Sequence, residues 1–543
     1  MVFLSLIIFL KNLLFFWKIW QIKEYRIDRI SDWIQNENWF KIIFNKIFFI
    51  YLILFFFWLF WEKFFWWILK IFSENVVSEI FFDKIFFYWI FTIFLAEIFL
   101  IFFKLFQNKL VIPKFTWRFS LIFLVSVLID FWILFFTGFN FENIYFIIFL
   151  LNSQFFVFWL WVFLTYPIAK NLKSSITTNA KNKISQFKNL KKIAITWSYW
   201  KSTVKSFLVQ IFEKNFSTIW TFENQNTPLW ISNLILNKID DTFEYFFCEM
   251  WAYKQWEIEE LWEIVNHKYW FLTWINNQHL SLFWSQANII LWKSEIIKKV
   301  FENDWVLYVN WDNYYCRKAQ FPKDLRIVFY WLNDVFNSAF SEIIDFFEDW
   351  IKFNFKYKNI SEIFTVSIIW KHNISNLTWV LAFCFDQWLN KNQIQEALNL
   401  LKTPEKNLEF IKKTEKIFLI NDTYNLNYNW IIAACESLEM FKNAKKILVL
   451  DDILELWKDS RNIHVELWKE LAKFNFDEIC LMWKNFRAYV EKWLKEAGFP
   501  EEKIFFTFIF DYLEKNISSK EEKQLFLFEW RWVEKYFEKI KKS

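Results

Sequence analysis

Glycine is almost missing from this chain: 2 residues in 543, where an ordinary domain carries about 7%. Two glycines cannot supply the left-handed turns, helix C-caps and close backbone approaches that a chain of this length needs. Proline is also scarce, at 6, so neither a collagen-like nor a proline-rich chain is possible. The five cysteines (Cys248, Cys316, Cys384, Cys435, Cys480) are far apart, with no CxxC pair. That spacing excludes a disulfide framework and reads as reduced, buried thiols. The formal net charge of +5 is too mild for a nucleic-acid partner.

What the chain does have is apolar and aromatic: 56% hydrophobic and 24% aromatic residues, with 75 Phe and 38 Trp. Disorder is excluded on that ground. Tryptophan stands at the abundance normally held by glycine. Phe, Ile, Lys and Asn, all with AT-rich codons, dominate the rest. Some bacterial lineages read UGA as glycine, whereas an ordinary translation table prints such codons as Trp. We therefore expect most of these tryptophans to be glycine in the native protein; the alternative is a chain with genuine Trp at these places.

Residues 1–168 and 169–543 differ in texture. The first part carries apolar runs at 2–20, 42–61, 80–103, 119–137 and 144–166, each near the roughly 20 residues that cross a bilayer. These predict a membrane region of about five transmembrane helices. Lys104, Lys109, Lys114 and Arg118 place their loop in the cytoplasm by the positive-inside rule. The catalytic part then follows on the cytoplasmic side of a multi-pass protein of the inner membrane, with the lipid bilayer as a partner. A polar stretch, 169–190, reads as a linker. Beyond it, short apolar runs such as KKIAIT (191–196), FEYFFCEM (243–250) and KILVLDD (446–452) alternate with amphipathic helical stretches, the pattern of α/β domains with parallel sheets.

The segment from Thr196 to Thr203 carries the clearest chemistry. A predicted strand runs into Trp197-Ser198-Tyr199-Trp200, then Lys201-Ser202-Thr203 and a helix, which is the context of a phosphate-binding loop. Such a loop wraps phosphate with backbone, and a Cβ at the wrapping positions collides with the ligand. With glycine at 197 and 200 the segment reads TGSYGKST. Lys201 then reaches the phosphates and Ser202 offers its hydroxyl to Mg²⁺.

That glycine-restored loop resembles the GxxGK[ST] form of the Mur ligase family, and further segments resemble the family's motifs in order. They are CEMWAYKQWEIEEL (248–261), LTWINNQHLSLFWS (272–285), LWKSEI (291–296), WKHNISN (370–376), NDTYNLNYN (421–429) and LDDILELWKDSRNIH (450–464). Trp251, Trp256, Trp284, Trp370 and Trp457 fall where the family carries glycine; Trp274 and Trp292 match less neatly. The resemblance covers about 190–540. It implies a P-loop central ATPase domain over 191–402 and a Rossmann-like C-terminal domain over 403–543. It also implies ATP and Mg²⁺ as cofactors, with Lys201, Glu249, His279 and Lys293 at the catalytic centre. Glu249, His279 and Ser202 are the implied metal ligands, and Lys293 matches a lysine that several members carry as a carbamate. Asn373 and Asn376 are implied at adenine, Asp422 near the nucleotide, and Tyr424, Asn425 and Asn427 on the side of the amino acceptor.

The closest motif match is to the branch that adds D-Ala-D-Ala to a UDP-MurNAc-tripeptide in peptidoglycan synthesis, by ATP-dependent amide formation through an acyl phosphate. Two features depart from the family. Asn407, with Lys406 beside it, stands where an Arg usually contacts the γ-phosphate. The usual N-terminal UDP-binding domain is replaced by the apolar region. A membrane-bound ligase for another substrate, such as a poly-γ-glutamate-like polymer, is the main alternative. If Trp197 and Trp200 are genuine, the loop is filled and the chain is a scaffold with an inactive ligase fold.

Overall fold

Strands that are apolar at every position build a sheet covered on both faces. In a computed structural model of the chain, Lys191–Thr196 (β1) and Tyr245–Glu249 (β3) lie parallel, Ile193 opposite Phe247. The structure describes scattered helical residues between Lys11 and Leu128 and, from Ile144 on, most of the chain. The main stretches outside the description are 197–199, 252–256, 274–294, 332–338, 405–407, 423–427, 451–459, 482–491, 506–522 and 530–543.

Among the described residues the first sheet adds Thr218–Trp220 (β2), Tyr269–Leu272 (β4), Val306–Asn310 (β5), Arg326–Trp331 (β6), Ala339–Phe346 (β7), Ile351–Tyr357 (β8) and Ile360–Val366 (β9). Its order is β2-β3-β1-β4-β5-β6-β7-β8-β9, parallel through β7, with β8 and β9 antiparallel. Side-chain alternation sends Ile193, Ile195, Tyr245 and Phe247 to one face and Ala194, Phe246 and Cys248 to the other. On the first face lie Lys201–Phe212 (α2) and Lys371–Asp386 (α6). Val204, Phe207, Leu208 and Ile211 recur at helical spacing to bury one stripe. On the second lie Pro228–Lys238 (α3), Glu257–Val265 (α4) and Glu295–Glu302 (α5).

A second sheet, in the order β10-β11-β15-β12-β13-β14, has its own core. Its strands are Glu409–Lys412 (β10), Ile417–Asn421 (β11), Lys445–Leu450 (β12), Glu478–Leu481 (β13), Ile504–Phe505 (β14) and Gln524–Glu529 (β15). Only β10 is antiparallel. Tyr428–Leu438 (α8) and Ser460–Leu471 (α9) supply apolar residues such as Ile431, Leu438 and Leu467 to that core. Lys391–Leu398 (α7) opens with a capping box between Asn390 and Gln393.

The membrane expectation does not stand. Among the described residues no helix is long and apolar enough to cross a membrane, which removes the support for a multi-pass inner-membrane location and a bilayer partner. The run at 42–61 lies outside the described residues, as do most of 2–20, 80–103 and 119–137. The fifth run does not end as a span should. It begins a 41-residue helix, Ile144–Ile184 (α1), which passes through Pro167 and continues into a Lys-bearing half. The chain divides into two compact units, Met1–Leu172 and Lys173–Ser543. The stretch read as a polar linker is thus helical to Ile184. Ala180 and Ile184, four residues apart on one face, are buried in the second unit's core.

One helix end bears directly on the tryptophan question. Trp388 follows α6 with φ 69° and is 92% exposed. Its N–H donates to Phe385 O (3.0 Å) and that of Leu389 to Cys384 O (3.1 Å), which is the Schellman pattern with Trp388 at the position glycine favours. A Cβ in this left-handed conformation costs about 1–2 kcal/mol, and an indole in solvent recovers none of it. Trp388→Gly should therefore raise the denaturant midpoint, by about 1 kcal/mol of stability after the entropy of glycine is subtracted. An unchanged or lowered midpoint would show that Trp suits this turn.

Candidate functional site

Parallel strands deliver their C-terminal ends to one edge of a sheet, where ligand groups gather. At that edge β1 ends in Thr196 and β3 in Glu249, both buried. Thr196 O accepts the Oγ1–H of Thr273 (3.0 Å), tying the ends of β1 and β4. The chain re-enters description at Trp200, the N-cap of α2, with φ 66° and ψ −3°. No side chain caps α2, and Trp200 O accepts the N–H of Val204 (2.8 Å). A residue held left-handed at the mouth of a helix is again one that favours glycine. The Trp200 ring instead packs on His372, with centroids 4.2 Å apart.

Lys201, Ser202 and Thr203 form the first turn of α2, where the helix dipole favours an anion. Lys201 is 7% exposed and Lys205, one turn on, is 6% exposed, while Glu249 between them is 2% exposed. Glu249 Oε2 accepts from Ser202 Oγ (3.0 Å) and pairs with Lys205 Nζ (2.9 Å). Its Oε1 accepts from Asn226 Nδ2 (3.4 Å). Burial alone would push the Glu249 carboxyl up, but Lys205 and Lys201, with the bonds from Lys205 and Ser202, hold it below the ordinary value. Burial pushes Lys201 down to about 8 against the pull of Glu249, and Lys205 adds to the fall. Two buried ammonium groups thus flank one buried carboxylate at the N-terminal end of α2. Lys201 also lies over the Trp251 ring, 5.3 Å from its centroid.

The first turns of α6 meet this loop through His372. Burial drives the His372 imidazole down to about 3, so it is neutral. Asn373 and Asn376, three residues apart on one helical face, are both 2% exposed. Among the described residues His372 Nε2, Asn373 Oδ1 and Asn376 Nδ2 have no hydrogen-bond partner. One free amide acceptor and one free amide donor are the complement of an adenine edge. Between them Ser375 Oγ donates to Asp312 Oδ2 (2.7 Å), and Asp312 N–H donates to Asn310 Oδ1 (2.9 Å) at the end of β5.

The structure therefore brings together Thr196, Trp200, Lys201, Ser202, Thr203 and Glu249, with the turn bearing Asn373 and Asn376 against them. It does not place Asp422 in that group. Asp422 is buried at the end of β11 in the second sheet, where its Oδ1 accepts from Leu408 N–H (3.2 Å) and its carboxyl faces Glu529. Trp197, Ser198, Tyr199, His279, Lys293, Lys406, Asn407, Tyr424, Asn425 and Asn427 lie outside the described residues. Among the described residues no three His, Cys, Asp or Glu groups converge as a metal site. Sequence reasoning missed Lys205, Asn226, Asp312 and Ser375. The available signal for Lys205 was its place four residues after Lys201, on the apolar stripe of α2. Trp370, read as a family glycine, is fully buried, and its indole N–H donates to Leu408 O (2.7 Å).

Residues 195–384 match the Mur ligase middle domain. The UDP-N-acetylmuramoyl-tripeptide–D-alanyl-D-alanine ligase of Borreliella burgdorferi is 27% identical over 304 residues, 55% of this chain and 63% of that protein. The ligase of the same name from Buchnera aphidicola subsp. Baizongia pistaciae is 25% identical over 348 residues, 63% of this chain and 73% of its own length. The chain thus spans less than two thirds of the length of the first of these relatives. Among solved structures, MurF from Acinetobacter baumannii shares the fold at TM-score 0.59 and 23% identity, covering 68% of this chain and 81% of that one. MurF from Thermotoga maritima, solved in complex with ADP, does so at TM-score 0.58 and 20% identity, covering 68% and 83%.

Proposed function

We propose that this chain, which belongs to the Mur ligase family, is an ATP-dependent ligase that forms an amide bond, adding D-Ala-D-Ala to a UDP-MurNAc-tripeptide in peptidoglycan synthesis. The observation that carries the reading is the placement of Lys201, Ser202 and Thr203 on the first turn of α2, directly after β1 and against the buried Glu249 at the end of β3, which suits a polyphosphate with its cation. Orphaned amide atoms of Asn373 and Asn376 suit adenine, and the Ser202 hydroxyl and Glu249 carboxylate suit a hard divalent cation. The residues present fit MgATP. When bound, it supplies the phosphoryl group that activates a substrate carboxylate for attack by an amine.

Within that reaction the chain positions and neutralises. Lys201 would meet the phosphate charge, and the N-terminal end of the α2 dipole would add to it. Glu249 and Ser202 hold the cation, with His279 as a further ligand. The asparagines orient the base. Lys293, if carbamylated, adds an acid. Asp422 acts on the nucleotide only from the second sheet, and Tyr424, Asn425 and Asn427 receive the incoming amine. All of this requires glycine at 197 and 200. The left-handed backbone of Trp200 and, outside any family motif, of Trp388 supports the UGA reading.

The test has two parts. Codons and native peptide masses at 197, 200, 251 and 388 identify the residues. The glycine form is then assayed for phosphate release that needs both UDP-MurNAc-tripeptide and D-Ala-D-Ala. Release with both substrates, lost in Lys201→Ala, is the expected result; a glycine form that binds no ATP overturns the proposal.

A further inference from the structure

We infer that Lys205 is a positioning residue, holding the Glu249 carboxylate aimed at the cation that accompanies the nucleotide. The inference rests on the nucleotide site proposed above but concerns a residue that no motif singles out. Lys205 projects from the second turn of α2. Its Nζ donates to Thr221 O (2.8 Å) just past β2 and pairs with Glu249 Oε2 (2.9 Å) at the end of β3. Thr221 Oγ1 in turn accepts the backbone N–H of Glu249 (2.9 Å). One ammonium group therefore ties the helix behind the phosphate loop to the ends of two strands, reaching Glu249 directly at its carboxylate and, through Thr221, at its backbone N–H.

Stability does not account for this arrangement. A buried ion pair is often no better than well-packed apolar side chains of the same volume, and α2 buries apolar residues on either side of Lys205. What the pair does supply is geometry. A glutamate has three rotatable bonds, and a metal-binding carboxylate needs one rotamer. The second bond of Lys205, to a backbone carbonyl, prevents the ammonium from following the carboxylate if it swings. At 6% exposure Lys205 sits behind Glu249, acting through it.

The test uses the full chain in its glycine form, with Mn²⁺ as the metal probe and ADP as the nucleotide, reading free Mn²⁺ by electron paramagnetic resonance. Lys205→Met should weaken Mn²⁺ binding by at least about tenfold, the loss typical when a partner of a metal ligand is removed. Its melting midpoint should fall, because Glu249 is left buried without its partner, so the comparison is made on the folded variant. Lys205→Arg, which keeps the charge, should stay within about threefold. Glu249→Gln should lose at least as much, and the double variant Lys205→Met/Glu249→Gln no more than Glu249→Gln alone. Unchanged Mn²⁺ affinity in folded Lys205→Met, or additive losses in the double variant, would overturn the inference. Should Lys205→Met not fold, Lys205→Gln, which keeps a donor for Thr221 O, serves the same comparison. Failure of the parent chain to bind Mn²⁺ with ADP overturns the nucleotide site itself, and Lys205 with it. Normal parent binding with an indifferent Lys205 removes only the positioning role.

Discussion

Replacing Trp197 and Trp200 by glycine should raise ATP affinity at least about a hundredfold, equivalent to about 2.7 kcal/mol. The affinity gain comes from removing the indole, whereas backbone strain already present without ligand bears on stability. The backbone of Trp200 is left-handed at φ 66°, which costs an L side chain about 1–2 kcal/mol. Its ring also rests on His372, 4.2 Å away, at the junction between the phosphate loop and the turn bearing Asn373 and Asn376. A nucleotide reaching from one to the other must displace that indole. The comparison is calorimetric: the chain with both tryptophans, each single glycine variant, and the pair, titrated with ATP and Mg²⁺. Circular dichroism should show the same fold in all four. Equal ATP affinity with and without the indoles would mean that they do not obstruct the site, and would withdraw this argument for glycine. Lys201→Ala in the paired variant should remove the gained affinity, since the gain is assigned to phosphate contact.

Much of the second unit was legible because its central parallel strands are largely apolar and helices such as α2 keep an apolar stripe. KKIAIT became β1 with the expected bounds, FEYFFCEM contains β3, and KILVLDD overlaps β12, which starts one residue earlier at Lys445. The β7–β9 meander was not foreseen, although IKFNFKY alternates buried and half-buried positions; alternating helices and strands elsewhere suggested crossovers throughout. The apolar N-terminal runs misled because hydropathy records composition and not where a helix stops. Ile144–Ile184 continues past Pro167 into a Lys-bearing half whose Ala180 and Ile184 serve a core. In the site, Lys-Ser-Thr after a strand was readable as chemistry because it is contiguous. Lys205, Asn226 and Asp312 were not, since each meets a partner 23 or more positions away, Glu249 for the first two and Ser375 for the third, and no spacing encodes that. The same holds for Glu529, an acid closing the apolar strand QLFLFE. Nothing in its neighbours announces that it meets Asp422.

That meeting has a measurable consequence. Asp422 and Glu529 are both fully buried, at the ends of the adjacent parallel strands β11 and β15. Among the described residues Asp422 Oδ2 and both Glu529 carboxylate oxygens have no hydrogen-bond donor, and an ionised carboxyl can offer its neighbour none, so this pair favours holding a proton. Burial raises both carboxyls well above their ordinary values, and for Glu529 the charge of Asp422 adds to it. The folded chain therefore holds more protons than the unfolded chain above the ordinary carboxylate range. Stability from the pair is fully present below that range and is lost as pH rises through the raised values. Glu529→Gln keeps the shape and provides an amide donor for Asp422 without a titrating proton. The variant should match the parent in acid and exceed it at pH 8 by about 1–4 kcal/mol, the usual gain when a poorly compensated buried charge is neutralised. Denaturant midpoints at several pH values decide it. Parallel curves for the two chains would mean that the proton is not shared, whereas a gap widening with pH identifies the pair as a clasp that loosens in alkali. Leu408, whose N–H bonds to Asp422 and whose φ is 50°, lies where the chain enters the second sheet. The clasp therefore sits at the joint between the sheet holding the phosphate loop and the sheet expected to carry the incoming amine.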